Sequence, residues 1–372
     1  MGTSVFVYGP LCHAPLRALV LGREVPGMPA VLPGRILTDD PDRGHPGWAW
    51  SDTGDIAGEV LDNLPDEALA RLDYYMTCLG NVPCHEQVCA SDTRLEVGFH
   101  LAAAPTPDGA AWSYLHWKDG FADVVAMTAR DVMDLYNRVP AAAVQPRYGA
   151  MLVRGSSRLR AAQPAPTTHR HLARPGDVVI ERAMLPYAHF FSVEEYDLRF
   201  RQFNGHLSPV INRAAFISGD AITVLPYDPR RDRVLLVEQF RTGPFARGDN
   251  QPWQLEAIAG RIDPFETPET AALREAEEEA GLKLGDLLKV AEYYTSTGAK
   301  SEYLYSYVAL TDLPDGAAGV FGLADEAEDI GGHLIDFETL MAMIASGEVA
   351  NAPLVLTAFW LQGQRARLRA GG

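Results

Sequence analysis

Apolar and polar positions change period several times along the chain, and each change predicts an element. Thr3 to Tyr8 (TSVFVY) is a short apolar run closed by Gly9-Pro10, which predicts a buried first strand. His13 to Leu21 carries a helical pattern, Ile56 to Leu61 a strand, and Pro65 to Tyr75 an amphipathic helix with Leu69 and Leu72 inward. Glu86 to Ala90 and Leu95 to Leu101 are predicted strands, and Thr128 to Asn137 a helix ending near Pro140. Short strands with few helices predict a small mixed barrel. Between Ser156 and Pro175 the period disappears and Pro, Ala, Thr and Arg dominate, a linker composition. Strand alternation returns at Asp177 to Met184 and Tyr196 to Phe203, followed by the turn signal Asn204-Gly205. Ala221 to Tyr227 and Arg233 to Phe240 are strands joined by a charged turn at Asp228 to Asp232. Trp253 to Ala259, Leu288 to Thr295 and Tyr303 to Leu310 are strand-like, and Phe337 to Ser346 and Leu354 to Arg369 are terminal helices. The chain thus divides into a domain over 1–153, a linker over 154–176 and a second domain over 177–372.

The segment Gly260 to Leu282 concentrates the chemistry. Thr267 is a good N-cap and Pro268 fits the first helical turn, where its missing N–H is not needed. Ala271, Ala272, Leu273, Ala276 and Ala280 favour helix, and Gly281 supplies a left-handed stop, so a helix is predicted from Pro268 to Ala280. Glu275, Glu278 and Glu279 fall at i, i+3 and i+4 and share one face. Like charges so placed repel unless a cation sits among them. Alone, EAEEEAG reads as a solvated acidic face. Hard divalent cations with oxygen ligands, Mg²⁺ or Mn²⁺, suit the cluster, and Arg274 is placed to hold Glu266 or a neighbouring carboxylate.

Length and composition narrow the picture. The 372 residues, 47% hydrophobic, allow two domains with ample core. A net charge of −17 and a pI near 5.0 argue against nucleic-acid or anionic-membrane partners. The four cysteines, Cys12, Cys78, Cys84 and Cys89, have no zinc spacing and read as free thiols of a reducing compartment. No signal peptide and no transmembrane run is evident, so a cytoplasmic location is expected. His169 and His171 lack a third ligand and read as part of the solvated linker.

Gly260, Glu266, Arg274, Glu275, Ala276, Glu278, Glu279, Gly281 and Leu282 together resemble the Nudix box at every fixed position. GDAITVLPYDPRRDRVLLVEQFR, WQLEAIAG, TSTGAKSEYLYSYVA and GLADEAEDI extend the resemblance to the ADP-ribose pyrophosphatase branch over about 177–372. The resemblance implies an α/β/α sandwich that hydrolyses the diphosphate of ADP-ribose to AMP and ribose 5-phosphate, with Mg²⁺ or Mn²⁺. It makes Glu275, Glu279 and the Ala259 carbonyl the metal ligands, with Glu278 close by. Arg241 would hold a phosphate, or else be a plain surface ion pair. Glu302 and Gly298 belong to the substrate loop, where Ala299 replaces the second glycine of the branch's pair. Glu326 matches the general base, with Glu328 as the fallback. Trp253 is expected in the core rather than as an adenine platform. A homodimer is implied by the resemblance alone. Hydrolysis of another nucleoside diphosphate sugar, or nucleotide sensing on the same scaffold, are the competing readings.

In the first domain VFVYGPL, a Gly-Glu-Val core and LDYYM resemble the γ-glutamylcyclotransferase-like fold, a small mixed β-barrel, so that the whole chain is expected to be α+β followed by α/β. That family's Tyr-Gly loop presents N–H groups to a glutamyl moiety and uses a glutamate as acid/base. Met76 stands at that glutamate's place and cannot transfer a proton, and Pro10 removes a backbone donor, so this domain is expected to be inactive. Glu59 and Glu86 are nearby carboxylates in sequence, but nothing in the sequence brings them to the loop. The two domains in this order also resemble fusions associated with tellurite resistance.

Overall fold

The first strand, β1 (Thr3–Tyr8), lies against a barrel that the next hundred residues build. The computed structural model describes residues 3–91, 93–322 and 329–371 and separates into two units, Met1–Ala173 and Arg174–Gly372. In the first unit β1 is followed by α1 (Ala14–Leu21), β2 (Met28–Thr38), β3 (Gly47–Leu64), α2 (Asp66–Cys78), β4 (Asn81–Ala90) and β5 (Thr93–Ala102). The helices α3 (Tyr114–Gly120), α4 (Ala122–Asp134), α5 (Ala141–Val144) and α6 (Tyr148–Ala161) complete it. The strands close in the order β1-β3-β2-β4-β5, with β1 and β5 meeting in parallel at Val5 and Gly98. Phe6, Leu32, Ile56, Val60, Val88 and Phe99 fill the interior. The small mixed barrel expected from the sequence is therefore present.

Two differences from the sequence reading have physical causes. β2 carries Pro29, Pro33 and Gly34, which disguise it as a turn. It tolerates them because one edge pairs along β3 while the other meets β4 only at Val31 and Cys89. The segment read as a linker from 154 begins inside α6, which continues to Ala161. Gly155 and Ser156 look like linker residues, yet both are buried, because small side chains let α6 approach α4. A Cβ on Gly155 would lie 2.5 Å from Thr128 Oγ1.

The second unit opens with a three-stranded sheet of β6 (Val178–Ala188), β7 (Ser192–Phe200) and β8 (Ile211–Ile217). Next come β9 (Ala221–Asp228), β10 (Arg233–Phe240), α7 (Thr242–Arg247), β11 (Trp253–Glu256), β12 (Ile258–Arg261) and α8 (Pro268–Ala280). The chain continues through β13 (Leu287–Tyr294), β14 (Tyr303–Leu310), β15 (Val320–Phe321), β16 (Ile330–Asp336), α9 (Phe337–Ser346) and α10 (Ala352–Ala370). The main sheet runs β13-β14-β9-β10-β16-β15, with β11 on β10 and β12 on β9. β9 and β10 are almost wholly apolar because both their faces are covered. Ile222, Val224, Leu235 and Val237 pack with Ala271, Ala272 and Ala276 of α8. Leu225, Tyr227, Val234 and Leu236 pack with Phe337 and Leu340 of α9 and Leu354 and Leu361 of α10. Trp253, expected in this core, is instead 56% exposed and meets Phe240 edge-on at 5.7 Å. Both residues sit at strand ends, where the covered faces run out. Among the described residues no helix is long and apolar enough to cross a membrane.

His45 gives the first unit a pH dependence. Its Nε2 lies 3.0 Å from the Tyr148 hydroxyl and 3.2 Å from that of Tyr75. Burial, with Arg43 adding like charge, pulls its pKa down from 6.5 to about 3. The unfolded chain therefore takes up a proton below pH 6.5 that the folded unit refuses, and stability falls as pH drops from 6.5 toward 3. Acid unfolding followed by tryptophan fluorescence is expected to show that loss, and His45→Gln to lower the slope by about one proton. An unchanged slope would assign the titration to another group.

Candidate active site

The site is built on α8, whose ends are fixed locally. Thr267 Oγ1 accepts from the Thr270 N–H and Thr270 Oγ1 accepts from the Thr267 N–H, both at 3.1 Å. At the other end Gly281 adopts φ 60°, and the N–H groups of Gly281 and Leu282 donate to Glu277 and Ala276. Ala271, Ala272, Ala276 and Ala280 are buried against the sheet, so the opposite side of the helix carries the charge.

Arg274 organises that charge. Its Nε and Nη2 donate to the two oxygens of Glu266, each at 3.0 Å, and Nη2 also donates to the Arg261 carbonyl at 3.0 Å. Nη1 donates to Glu275 Oε1 at 2.8 Å and to Glu278 Oε2 at 2.9 Å. One guanidinium thus ties the loop before the helix to two carboxylates on it. Burial works against its charge, but Glu266, Glu275 and Asp263 hold the Arg274 pKa above its ordinary value.

Two carboxylates are pressed close to β12. A Cβ on Gly260 would lie 1.8 Å from Glu275 Oε1, so only glycine lets the strand approach this side chain. Glu279 is 3% exposed; it accepts from the Ala259 N–H at 3.0 Å and from Gln239 Nε2 at 3.4 Å. Burial pushes the Glu275 carboxyl up to about 7, with Glu278 and Asp263 adding to the rise and Arg274 opposing it. Such a carboxylate is short of positive charge, and its neighbours are hard oxygen donors, which is the chemistry a divalent cation fits. As the side chains stand, no three acidic, histidine or cysteine groups among the described residues converge on one metal position. Arg274 takes only one oxygen each from Glu275 and Glu278, which leaves each a second oxygen for a cation.

β10 contributes from the side. Leu235, Val237 and Gln239 alternate onto one face, apolar under α8 at one end and polar at the other, and Arg241 follows just past the end of the strand. Gln239 reaches Glu279, and Arg241, two residues on, pairs with Glu256 of β11 through Nε at 2.8 Å and Nη2 at 2.7 Å. Arg241 therefore ion-pairs, but with a buried carboxylate rather than a surface one. Asn351, the N-cap of α10, donates to the other Glu256 oxygen at 2.7 Å. The sequence reading missed Gln239, Glu256 and Asn351. Strand alternation along β10 would have found Gln239; nothing local marks Asn351, which is 95 residues from Glu256.

The substrate-loop residues are placed less uniformly. Glu302, just before β14, accepts from Thr295 Oγ1 at 3.0 Å and from Ser218 Oγ at 3.4 Å. Gly298 has open space where a Cβ would go. The Ala299 carbonyl accepts from the Phe216 N–H at 2.8 Å, docking this loop on β8. Glu326 and Glu328 lie outside the described residues.

In the first unit, Gly9 turns at φ 58° after β1, and a short pocket is lined by Phe6, Val7, Tyr8, Leu11, Leu72, Met76 and His100. Met76 thus faces the Tyr-Gly loop as expected. Glu59 does come near it: Arg17 donates both to Glu59 at 2.6 Å and to the Leu11 carbonyl at 3.4 Å. Glu86 does not, being held by Arg35 through two bonds. His100 pairs with Asp73 at 3.0 Å.

Residues 218–353 match the family model of the NUDIX domain. ADP-ribose pyrophosphatase of Escherichia coli (strain K12) is 40% identical over 184 residues, covering 50% of this chain and 87% of the relative. The chain belongs to the Nudix family. ADP-ribose pyrophosphatase of Haemophilus influenzae is 35% identical over 195 residues (52% and 89%), and GDP-mannose pyrophosphatase of Salmonella paratyphi B is 31% identical over 150 (40% and 77%). Residues 5–117 match the model described as gamma-glutamyl cyclotransferase, AIG2-like. The protein is accordingly a Nudix hydrolase of divalent-metal type carried behind an AIG2-like barrel.

Gly260→Ala tests the packing of this Nudix site. The added methyl must push the Glu275 carboxylate off its Arg274 contact, a shift of a side-chain end rather than of backbone, so folding is expected to survive. Hydrolysis is expected to fall about 100-fold, the cost of a displacement near 1 Å at a reacting centre. Thermal unfolding beside a hydrolysis assay checks both halves.

Proposed function

We propose that the protein hydrolyses ADP-ribose to AMP and ribose 5-phosphate with Mg²⁺, Mn²⁺ being able to replace it. What carries the reading is the carboxylate face of α8: Glu275, Glu278 and Glu279, organised by Arg274, with Gln239 of β10 reaching Glu279. The names and identities of the relatives support ADP-ribose as substrate. Glu275, Glu279 and the Ala259 carbonyl would hold the cation, with Glu278 adjacent. A divalent cation bound there supplies positive charge to the diphosphate and acidifies water. Arg241 steadies a phosphate oxygen, Glu302 and the loop around Gly298 position the sugar, and Glu326 takes the proton from the attacking water. Net charge repels an anionic substrate, which makes Arg241 and the cation decisive for binding.

A homodimer is part of this proposal. β6, β7 and the hairpin after them expose Val178, Ile180, Phe190, Phe200 and Phe203, an apolar surface that a second copy would cover. The barrel is proposed to lack cyclotransferase activity, because Met76 offers no proton. A cytoplasmic location fits the free cysteines. The order of the two domains supports the fusion type associated with tellurite resistance.

A second reading keeps the chemistry and exchanges the sugar. The resemblance to a GDP-mannose pyrophosphatase favours it. A panel of ADP-ribose, sugar nucleotides and dinucleotides with Mg²⁺, resolved chromatographically, decides. ADP-ribose is expected to be cleaved fastest, and Glu279→Gln to lower the rate by about 100-fold or more with little change of shape. Faster release of a nucleoside monophosphate from GDP-mannose would replace the substrate. Tight nucleotide binding with no turnover would replace catalysis by sensing.

A further inference from the structure

Glu256 is a buried carboxylate with no part in the carboxylate face of α8. It is 6% exposed, and each of its oxygens is taken by a different element. Oε2 accepts from Nε and Nη2 of Arg241, at 2.8 and 2.7 Å. Oε1 accepts from Asn351 Nδ2 at 2.7 Å. Asn351 is itself fixed, because its Oδ1 accepts from the Leu354 N–H at 3.1 Å as the cap of α10. The line Leu354–Asn351–Glu256–Arg241 therefore runs from the backbone of α10 to the guanidinium just past the end of β10.

We infer that Glu256 and Asn351 are positioning residues for Arg241. The inference rests on the reading of Arg241 as a phosphate-binding group. Arginine has several rotatable bonds, and left alone on a strand end it would spend much of its time away from any one geometry. Engaging Nε and Nη2 fixes the plane of the guanidinium and commits one edge of it. Among the described residues Nη1 has no protein acceptor, so it is the donor left for a substrate oxygen. Glu256 alone could rotate with its partner. Asn351 prevents this by holding the second oxygen from an independent helix. Neither residue touches a reacting atom in this scheme; both act through Arg241. The cost is electrostatic, since Glu256 cancels part of the charge that draws an anion. The arrangement thus exchanges strength of attraction for orientation.

The test is a double-mutant cycle on the full chain with ADP-ribose and Mg²⁺, reading kcat and KM separately. Glu256→Gln keeps the shape and one donor-acceptor pair. Asn351→Ser keeps a good N-cap for α10 but is too short to reach Glu256. Each is expected to raise KM about 5- to 20-fold, with kcat changed less than about 3-fold. In an Arg241→Ala background, which by itself raises KM further, both effects are expected to vanish. Thermal unfolding separates damage to the fold from loss of orientation, and Asn351→Ser serves if Glu256→Gln does not fold. Undiminished effects in the Arg241→Ala background would overturn the positioning role while leaving Arg241 as a substrate contact. No change in KM on Arg241→Ala would overturn the reading of Arg241, and the positioning role with it. Wild-type KM in both single variants, with Arg241→Ala impaired, would overturn the positioning role alone.

Discussion

Everything in the hydrolase unit depends on a single guanidinium amid carboxylates. Three glutamates on one turn and a half of helix repel one another, and burial makes Glu275 costlier to ionise. Arg274 offsets this by reaching Glu275 and Glu278 along the helix and Glu266 across the loop. The same contacts fix the path from β12 into α8, because Arg274 also takes the Arg261 carbonyl. β12 holds Gly260 and Arg261 against β9, and Ile262 is buried in the core, so Arg274 adds its tie chiefly over Asp263 to Glu266, the stretch that leads into α8. The compensation is incomplete by design of the packing: Glu275 remains well above the ordinary carboxyl range. Arg274 therefore leaves part of the cost of gathering these carboxylates uncompensated, and that part falls on the face proposed to hold the cation.

Around this centre the polar groups are distributed by strand alternation. One face of β10 supplies Leu235 and Val237 to the core and then Gln239 to Glu279, and Arg241 follows just past the strand's end. Hydrophobic burial under α8 thereby sets the register of the chemistry. A slip of one residue would turn Gln239 to the opposite face of the sheet. The remaining surface of the unit is less closed. The three-stranded sheet before β9 keeps large apolar groups exposed and touches the main body where Phe216 meets the loop at Ala299 and where Phe190 meets Arg261 of β12.

Much of this was legible in the residues. The limits of α8, its cap, its stop and its carboxylate face follow from local chemistry, which spacing reports faithfully. So do β1, β9 and β10, whose runs are apolar because the strands are covered. What could not be read depends on partners far away in sequence. β2 hides behind its prolines because only pairing with β3 explains them. α6 hides behind Gly155 and Ser156, whose small size is meaningful only against α4. Trp253 looked like core because composition cannot tell a covered strand end from a bare one. Glu256 and Asn351 are unremarkable in isolation, and their importance lies in a contact across 95 residues.

The contact between Asn351 and Glu256 also orders events in time. On a ribosome the chain emerges from its first residue, and domains fold as units once their own contacts are available. The barrel and its helices close within Met1–Ala173 and can be finished while the hydrolase unit is still being made. The second unit cannot proceed the same way. Its central strands β9 and β10 appear early, but their neighbours β14 and β16 and the residue that steadies Arg241 arrive up to about a hundred residues later. During that interval a nascent chain displays two of its most apolar strands without their covers. The upstream unit, Met1–Ala173, has all its own contacts in hand by then.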